Sequence, residues 1–353
     1  MTVAELPFVR SSERGDFKKC PQSWYWRYVE WLVPSSAKLQ GRDFGTAWHL
    51  AAAEYYIPEG SEGLDRPIEE RRGRPMMETF DEWVRETRNW QTRNDKVARD
   101  FNAEEFEEEA EKIRHGIREH MAEYKGDPDW QVIAREETFA ANIDGKAIDV
   151  GTIDLVVRVI STGEIWIVDH KTAKQAPNQA AYEMEDQGGS YCSIATTVLR
   201  HKGLIGPKER IKGIIFNFIM KKKPDERPRN EEGLYLNKNG TVSKVQPTSP
   251  LLRFDIRRTP KQQRHQLQRI VDDVTVMDAA RKGVIPIIKA PGRLCPFCDF
   301  FALCKLDENR GDVEGMKDVM FKKLDPYHDH REGAENSKLS VKADKGLKHG
   351  SSA

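Results

Sequence analysis

Three apolar runs punctuated by two glycine turns constrain this chain more than any other feature. Residues 132–142, 146–160 and 164–175 draw their apolar character mainly from Val, Ile and Ala, and Asp144-Gly145 and Thr162-Gly163 separate them. Gly supplies the positive φ that a tight hairpin needs, so the pattern predicts an antiparallel β-meander. A fourth apolar run, IKGIIFNFIM at 211–220, and a shorter one at 252–257 extend the sheet. Apolar spacing predicts helices at 43–56, 103–124, 180–201 and 260–282, with Gly188-Gly189 weakening the third. The expected class is α/β: a central mixed sheet with an antiparallel meander, flanked by helices.

The same reading divides the 353 residues into segments. Residues 1–35 form an N-terminal segment with the first cysteine, 36–57 a histidine-bearing helix, and 58–100 an arginine-rich helical insertion. A core at 101–290 is followed by a cysteine knot at 291–310 and a polar tail at 311–353, expected to be disordered from about 322. The 57 basic residues balance 57 acidic ones, so any nucleic-acid surface has to be a local patch. No run approaches the ~18 apolar residues of a membrane span. The N-terminus lacks the apolar stretch of a signal peptide, and five cysteines are an odd number for a secreted disulfide framework. The expected location is the cytoplasm.

Within the meander, charge stands where a core is expected. Asp154 interrupts Val150, Ile153, Leu155, Val156 and Val157, and the third run ends abruptly in Asp169-His170-Lys171. A buried charge costs stability unless it is paired or bound to metal. Side chains two apart on a strand share a face, so Asp169 and Lys171 project together and His170 points away. A two-residue loop at Thr162-Gly163 pairs Asp154 with Lys171 and sets it diagonal to Asp169, with facing Cβ atoms about 4.5–5.5 Å apart. A three-residue loop moves Asp154 to the face of His170. Two close carboxylates repel unless a cation lies between them, and hard oxygen ligands suit Mg²⁺ or Mn²⁺. A lysine beside that ion can position or deprotonate water and neutralise a phosphorane-like transition state. Asp154, Asp169 and Lys171 are thus the candidate catalytic residues of a phosphodiester hydrolysis. The acid-x-Lys string also occurs at Asp16, Glu123 and Asp144, so the place of Asp169 and Lys171 at the end of an apolar strand is what distinguishes them.

Cys295-x2-Cys298-x5-Cys304 has metal-ligand spacing but is one thiol short of a closed site, and Cys20 can supply the fourth. Four thiolates fit either Zn²⁺ or an iron–sulfur cluster. Cys192 falls inside a predicted helix and reads as a small core residue. A clip from Cys20 to Cys295 would join distant chain segments, so its role is structural first.

Taken in order, these residues resemble the RecB-like nucleases of the PD-(D/E)XK superfamily, specifically the iron–sulfur branch. That branch includes AddB-type nuclease domains and the CRISPR-associated adaptation exonucleases, the Cas-four family. The resemblance covers about residues 15–306. It rests on Cys20, a G-x-x-x-H helix from Gly45 to His49, Asp154 in "GTID", the D-x-K of Asp169 and Lys171, a Q-x-x-x-Y helix from Gln187 to Tyr191, and the knot. It implies a restriction-endonuclease-like fold whose ends are joined by a cysteine-bound cluster. It further implies a metal held by His49, Asp154 and Asp169, and a 4Fe–4S cluster rather than zinc on Cys20, Cys295, Cys298 and Cys304. Gln187 and Tyr191 would hold substrate phosphate, orient Lys171 or simply pack. An imidazole beside two carboxylates shifts preference from Mg²⁺ toward Mn²⁺.

The activity implied is that of a metal-dependent DNA exonuclease acting on single strands or duplex ends, in recombination, repair or phage DNA metabolism. A helicase or a single-strand-annealing protein would be the protein partner, in the host cytoplasm if the protein is phage-encoded. Two further readings stand beside it: a non-catalytic DNA-binding subunit of a recombination or CRISPR-adaptation complex, and a zinc-stapled endonuclease. The basic residues of 58–100 and 221–250, with Trp83 and Trp90, are candidates for a DNA-guiding wall.

Overall fold

The structure, a computed structural model, describes residues 6–35, 42–93, 101–327 and 340–341. Nine strands are described: β1 (Phe8–Val9), β2 (Leu32–Pro34), β3 (Trp130–Ile143), β4 (Ala147–Val159), β5 (Ile165–Ala173), β6 (Ile211–Met220), β7 (Leu251–Arg257), β8 (Phe321–Lys323) and β9 (Ser340–Val341). Seven of them form one sheet in the order β7-β6-β5-β4-β3-β9, with β1 alongside β4. The meander β3-β4-β5 is antiparallel, β5 and β6 are parallel, and β6 and β7 are antiparallel. This is the mixed, helix-flanked sheet that the apolar runs predict.

Helices cover both faces, because the strands are apolar on both. On one side lie α1 (Ser11–Lys19), α7 (Asp186–His201) and α8 (Pro260–Arg281), where Ile194, Val198, Leu267 and Ile270 pack against Val156, Ile167, Ile214 and Phe216. On the other lie α3 (Arg42–Tyr55), α4 (Met76–Arg93) and α5 (Ala103–Tyr124). There Trp48, Phe80, Ile113 and Ile117 pack on Val157, Trp166, Val168 and Ile219. Asn102 starts α5 by accepting the backbone N–H groups of Glu104 and Glu105. Gly116 then lets that helix approach β6, since a Cβ there would lie 2.2 Å from Ile219 Cγ2. The short helices α2 (Pro21–Trp24) and α6 (Gln179–Tyr182) pack on the first of these cores through Trp24 and Tyr182.

Three expectations are corrected. The β4–β5 loop holds four residues, 160–163: Val159 N–H donates to Glu164 C=O, and Leu155 pairs with Val168. The register therefore sits two residues away from the predicted one, and Asp154 does not pair with Lys171. Because the slip is even, every side chain keeps its face. Second, the helix predicted over 180–201 breaks at 183–185, so Gly188 and Gly189 lie in the first turn of α7. Substituted there, they would press on Phe216 and Gln266. Third, order continues past 322. Helices α9 (Phe301–Glu308) and α10 (Val313–Met320) lead into β8, which pairs with β2, and Tyr327 is buried. A small apolar core of Trp26, Leu32, Phe300, Leu303 and Phe321 drives this return. Residues 328–339 and 342–353 of the expected disordered tail lie outside the described residues.

The arginines of the insertion divide. Arg71 and Arg72 are buried and bind Glu59 and the backbone carbonyls of Gly126, Asp127, Pro128 and Trp130, so they belong to the scaffold and to no DNA-guiding wall. Trp83 packs with Phe44, Phe80 and Phe106, whereas Trp90 is half exposed.

Candidate active site

The meander opens into a fork. β4 and β5 pair only from Leu155–Val168 to Arg158–Ile165, whereas β5 stays paired with β6 as far as Ala173. At its other end β4 pairs with β1 at Ile148 and Asp149. Between these contacts Asp154 faces a gap in the sheet. There the backbone N–H of His170 donates to Asp154 Oδ2 at 2.8 Å, a side-chain acceptor taking the place of a ladder carbonyl.

Helix α3 brings His49 to this gap, with Nδ1 3.2 Å from Asp154 Oδ2. Its Ala-rich face (Ala47, Ala51 and Ala52) is fully buried, which lets the helix lie close over the fork. A third group arrives from β3, where Glu136 takes φ +44°, in the left-handed region that costs a non-glycine residue roughly 1–2 kcal/mol. One donor atom each of His49, Glu136 and Asp154 lies within 4.8 Å of the others. Asp169 and Lys171 stand beside them on β5. Lys171 Nζ lies 2.8 Å from Asp169 Oδ2 and donates to Gln187 Oε1 at 2.9 Å, and Gln187 Nε2 donates to Tyr191 Oη at 3.1 Å. Gly151 of "GTID" makes room for this helix, since a Cβ there would lie 3.1 Å from the Tyr191 ring.

The electrostatics follow from burial and pairing. Glu136 is exposed at the mouth of the fork, yet partial desolvation among its neighbours pushes it up to about 7, assisted by the Asp154 charge. Burial likewise raises Asp169 to about 6, with Lys171 opposing and Asp154 adding to the shift. Asp154 is lowered, because the hydrogen bond and charge of His49 outweigh its burial, and His49 is raised against its own burial by the same bond. Lys171 is raised despite burial by Asp169, so its amine is an ammonium at neutral pH. This favours donating to water or phosphate over accepting a proton.

The His170 side chain leaves the face of Asp169 and Lys171, its ring edge-on to that of His49 with centroids 6.3 Å apart. Asn217 lies between its Nδ1 (3.0 Å) and His120 Nε2 (3.1 Å), while Arg253 Nε donates to Asn217 Oδ1. The amide nitrogen therefore donates to both rings, which makes both imidazoles neutral acceptors at those atoms. Burial depresses His170 to about 3 and lowers His120 as well.

The thiols come from two distant segments of the chain. Cys20 follows α1, Cys295 and Cys298 flank a 3-10 turn, and Cys304 lies on α9. Burial raises Cys304 to about 11, with Lys289 opposing and the neighbouring thiols of Cys20, Cys298 and Cys295 adding to it, so all four share one locality. Cys298 and Cys304 pack on the small apolar core, and Gly292 N–H donates to Cys295 Sγ at 3.2 Å. Cys192 is buried within α7.

Sequence reasoning placed His49, Asp154, Asp169, Lys171, Gln187 and Tyr191, and the fold brings these six to one fork. It missed Glu136. A signal existed: the buried positions of β3 run Trp130, Val132, Ala134 and then Phe139, Ala141, Ile143, a change from even to odd. Some residue between must break the alternation.

The family profile described as "PD-(D/E)XK nuclease superfamily" matches residues 12–305. The chain belongs to the PD-(D/E)XK nuclease superfamily. No curated protein matches it.

Proposed function

We propose that the protein is a metal-dependent DNA exonuclease acting on single strands or duplex ends, in recombination, repair or phage DNA metabolism. The observation that supports this most is the fork itself, where an imidazole, three carboxylates and an ammonium converge inside a nuclease-family fold. His49, Glu136 and Asp154 fit a divalent cation, having nitrogen and oxygen donors within 4.8 Å and a backbone strained to deliver one of them. Asp169 adjoins that set. A bound Mn²⁺ or Mg²⁺ supplies Lewis acidity and lowers the pKa of water.

The chain's own groups do the rest. Lys171, charged and held between Asp169 and Gln187, donates to a phosphate oxygen or orients the attacking water. Tyr191 and Gln187 fix the lysine's direction. The Cys20, Cys295, Cys298 and Cys304 thiols fit a 4Fe–4S cluster, sharing one locality with an apolar shell against them. They would hold it as a structural clip. DNA is the proposed partner, with a helicase or annealing protein beside it, in the cytoplasm. Among the described residues no helix is long and apolar enough to cross a membrane.

Anaerobically purified protein is expected to be brown and to release label from 5′- or 3′-labelled DNA with Mn²⁺. DNA binding without cleavage would instead favour the non-catalytic subunit, and colourless, zinc-containing protein the zinc-stapled endonuclease.

A further inference from the structure

Arg14 is fully buried, with no part of its surface in contact with solvent. Its guanidinium reaches three elements at once. Nη1 donates to Asp149 Oδ2 of β4 at 3.0 Å, Nη2 donates to Ser190 Oγ of α7 at 2.5 Å, and Nε lies 3.5 Å from Asp273 Oδ2 of α8. Its neighbour Lys18 lies 2.6 Å from both Asp186 Oδ2 and Asp273 Oδ2, and Gln266 Nε2 donates to Asp186 Oδ1 at 2.7 Å. Ser190 Oγ donates in turn to the Asp186 carbonyl at 2.7 Å.

The contacts of Arg14 with Ser190, and of Lys18 and Gln266 with Asp186, fall on one turn, residues 186–190. That turn contains Gly188 and Gly189, which carry no side chains to fix its rotation. It also carries Gln187, the acceptor for the Lys171 amine. We propose that Arg14 is a positioning residue for Lys171: it fixes the first turn of α7, and Gln187 on that turn aims the amine beside Asp169. The inference rests on the nuclease reading.

Full burial of a guanidinium is expensive, and a methionine of similar volume would often stabilise a core as well or better. What an apolar side chain lacks is direction. Arg14 has five N–H donors in a rigid plane, and these set the distance between β4, which carries Asp154, and α7, which carries Gln187. α1 also ends directly in Cys20, so the same helix connects the thiol site to the lysine.

The alternative is that Arg14 merely neutralises Asp149, and two variants separate the roles. Ser190→Ala keeps the Arg14–Asp149 pair and removes the contact with α7. It should lower kcat about tenfold with KM for DNA within about twofold, while the melting temperature falls by no more than about 5 °C. The double variant Arg14→Met/Asp149→Asn removes both buried charges. It should recover the melting temperature lost in Arg14→Met alone yet keep the low kcat.

An activity-independent measurement accompanies them: amine-reagent labelling of Lys171 followed by mass spectrometry, expected to be faster in both variants. Wild-type kcat together with wild-type labelling in Ser190→Ala would overturn the proposal. So would activity that returns in step with stability in the double variant. Should wild-type protein show no Mn²⁺-dependent cleavage, the nuclease reading fails, while labelling of Lys171 still decides whether Arg14 orients it.

Discussion

The carboxylate–histidine site draws its groups from β3, β4, β5 and α3, inside the frame of the main sheet, and its buried Asp169 is only 2% exposed. The thiol site draws one cysteine from the end of α1 and three from a loop and short helix near the other end of the chain, and all four are partly exposed. In the first, the sheet and α3 place the donors before any ligand arrives, although Glu136 is exposed and His49 and Asp154 are only partly buried. In the second, the polypeptide supplies only a small apolar core and the short β2–β8 ladder, and a bound cluster would complete the closure. A preorganised site concentrates its effect on chemistry, and a clip spreads its effect over stability.

The sharpest way to break this contrast is Lys171→Ala. Cleavage should fall about 10³-fold or more, with DNA binding and the chromophore of the proposed cluster intact. Residual activity near wild type, measured with end-labelled DNA, would remove the lysine from the chemistry. Next in size, Cys20→Ser should bleach the chromophore and lower the melting temperature by about 5–10 °C, while kcat at low temperature falls far less than in Lys171→Ala. An equal loss of kcat with no thermal shift would show that the clip acts on catalysis directly.

Glu136 gives a subtler test, because its backbone is strained. Glu136→Gly should weaken Mn²⁺ binding about tenfold, or ~1.4 kcal/mol, by calorimetry, and still raise the melting temperature of the metal-free protein, since glycine accepts φ +44° without strain. Lower stability in that variant would mean that the left-handed residue carries no strain.

The smallest effect concerns pH. His170, depressed to about 3, and His120, also depressed, bind fewer protons folded than unfolded below the ordinary histidine value. Their contribution is therefore complete above about pH 6.5 and is lost as pH falls, by up to about 1.4 kcal/mol per pH unit for each. Denaturant titrations at pH 7 and 5 should show this slope, and His120→Gln should flatten it.

Particular residues show how far the sequence was legible. Asp154 stood out because a charge within Val150–Val157 has to be paired or bound to metal, and Cys295, Cys298 and Cys304 because their spacing is short-range. His170 drew attention by sitting between Asp169 and Lys171, yet strand alternation alone sends it to the other face. Glu136 left only a phase slip in β3, since any residue from 135 to 138 could have absorbed it. Arg71 and Arg72 looked like surface charge because their partners, the carbonyls of 126–130, are distant in sequence.

The sequence by itself determined the strands, their faces, the Asp169–Lys171 pairing on one side and the thiol spacing, because each depends on neighbours within a few residues. The tertiary structure alone decided the four-residue loop, the fork between β4 and β5, the delivery of His49 and Glu136 and the hold of Arg14 on α7. Those depend on where strands part and helices lie, which is set by packing between segments far apart in the chain.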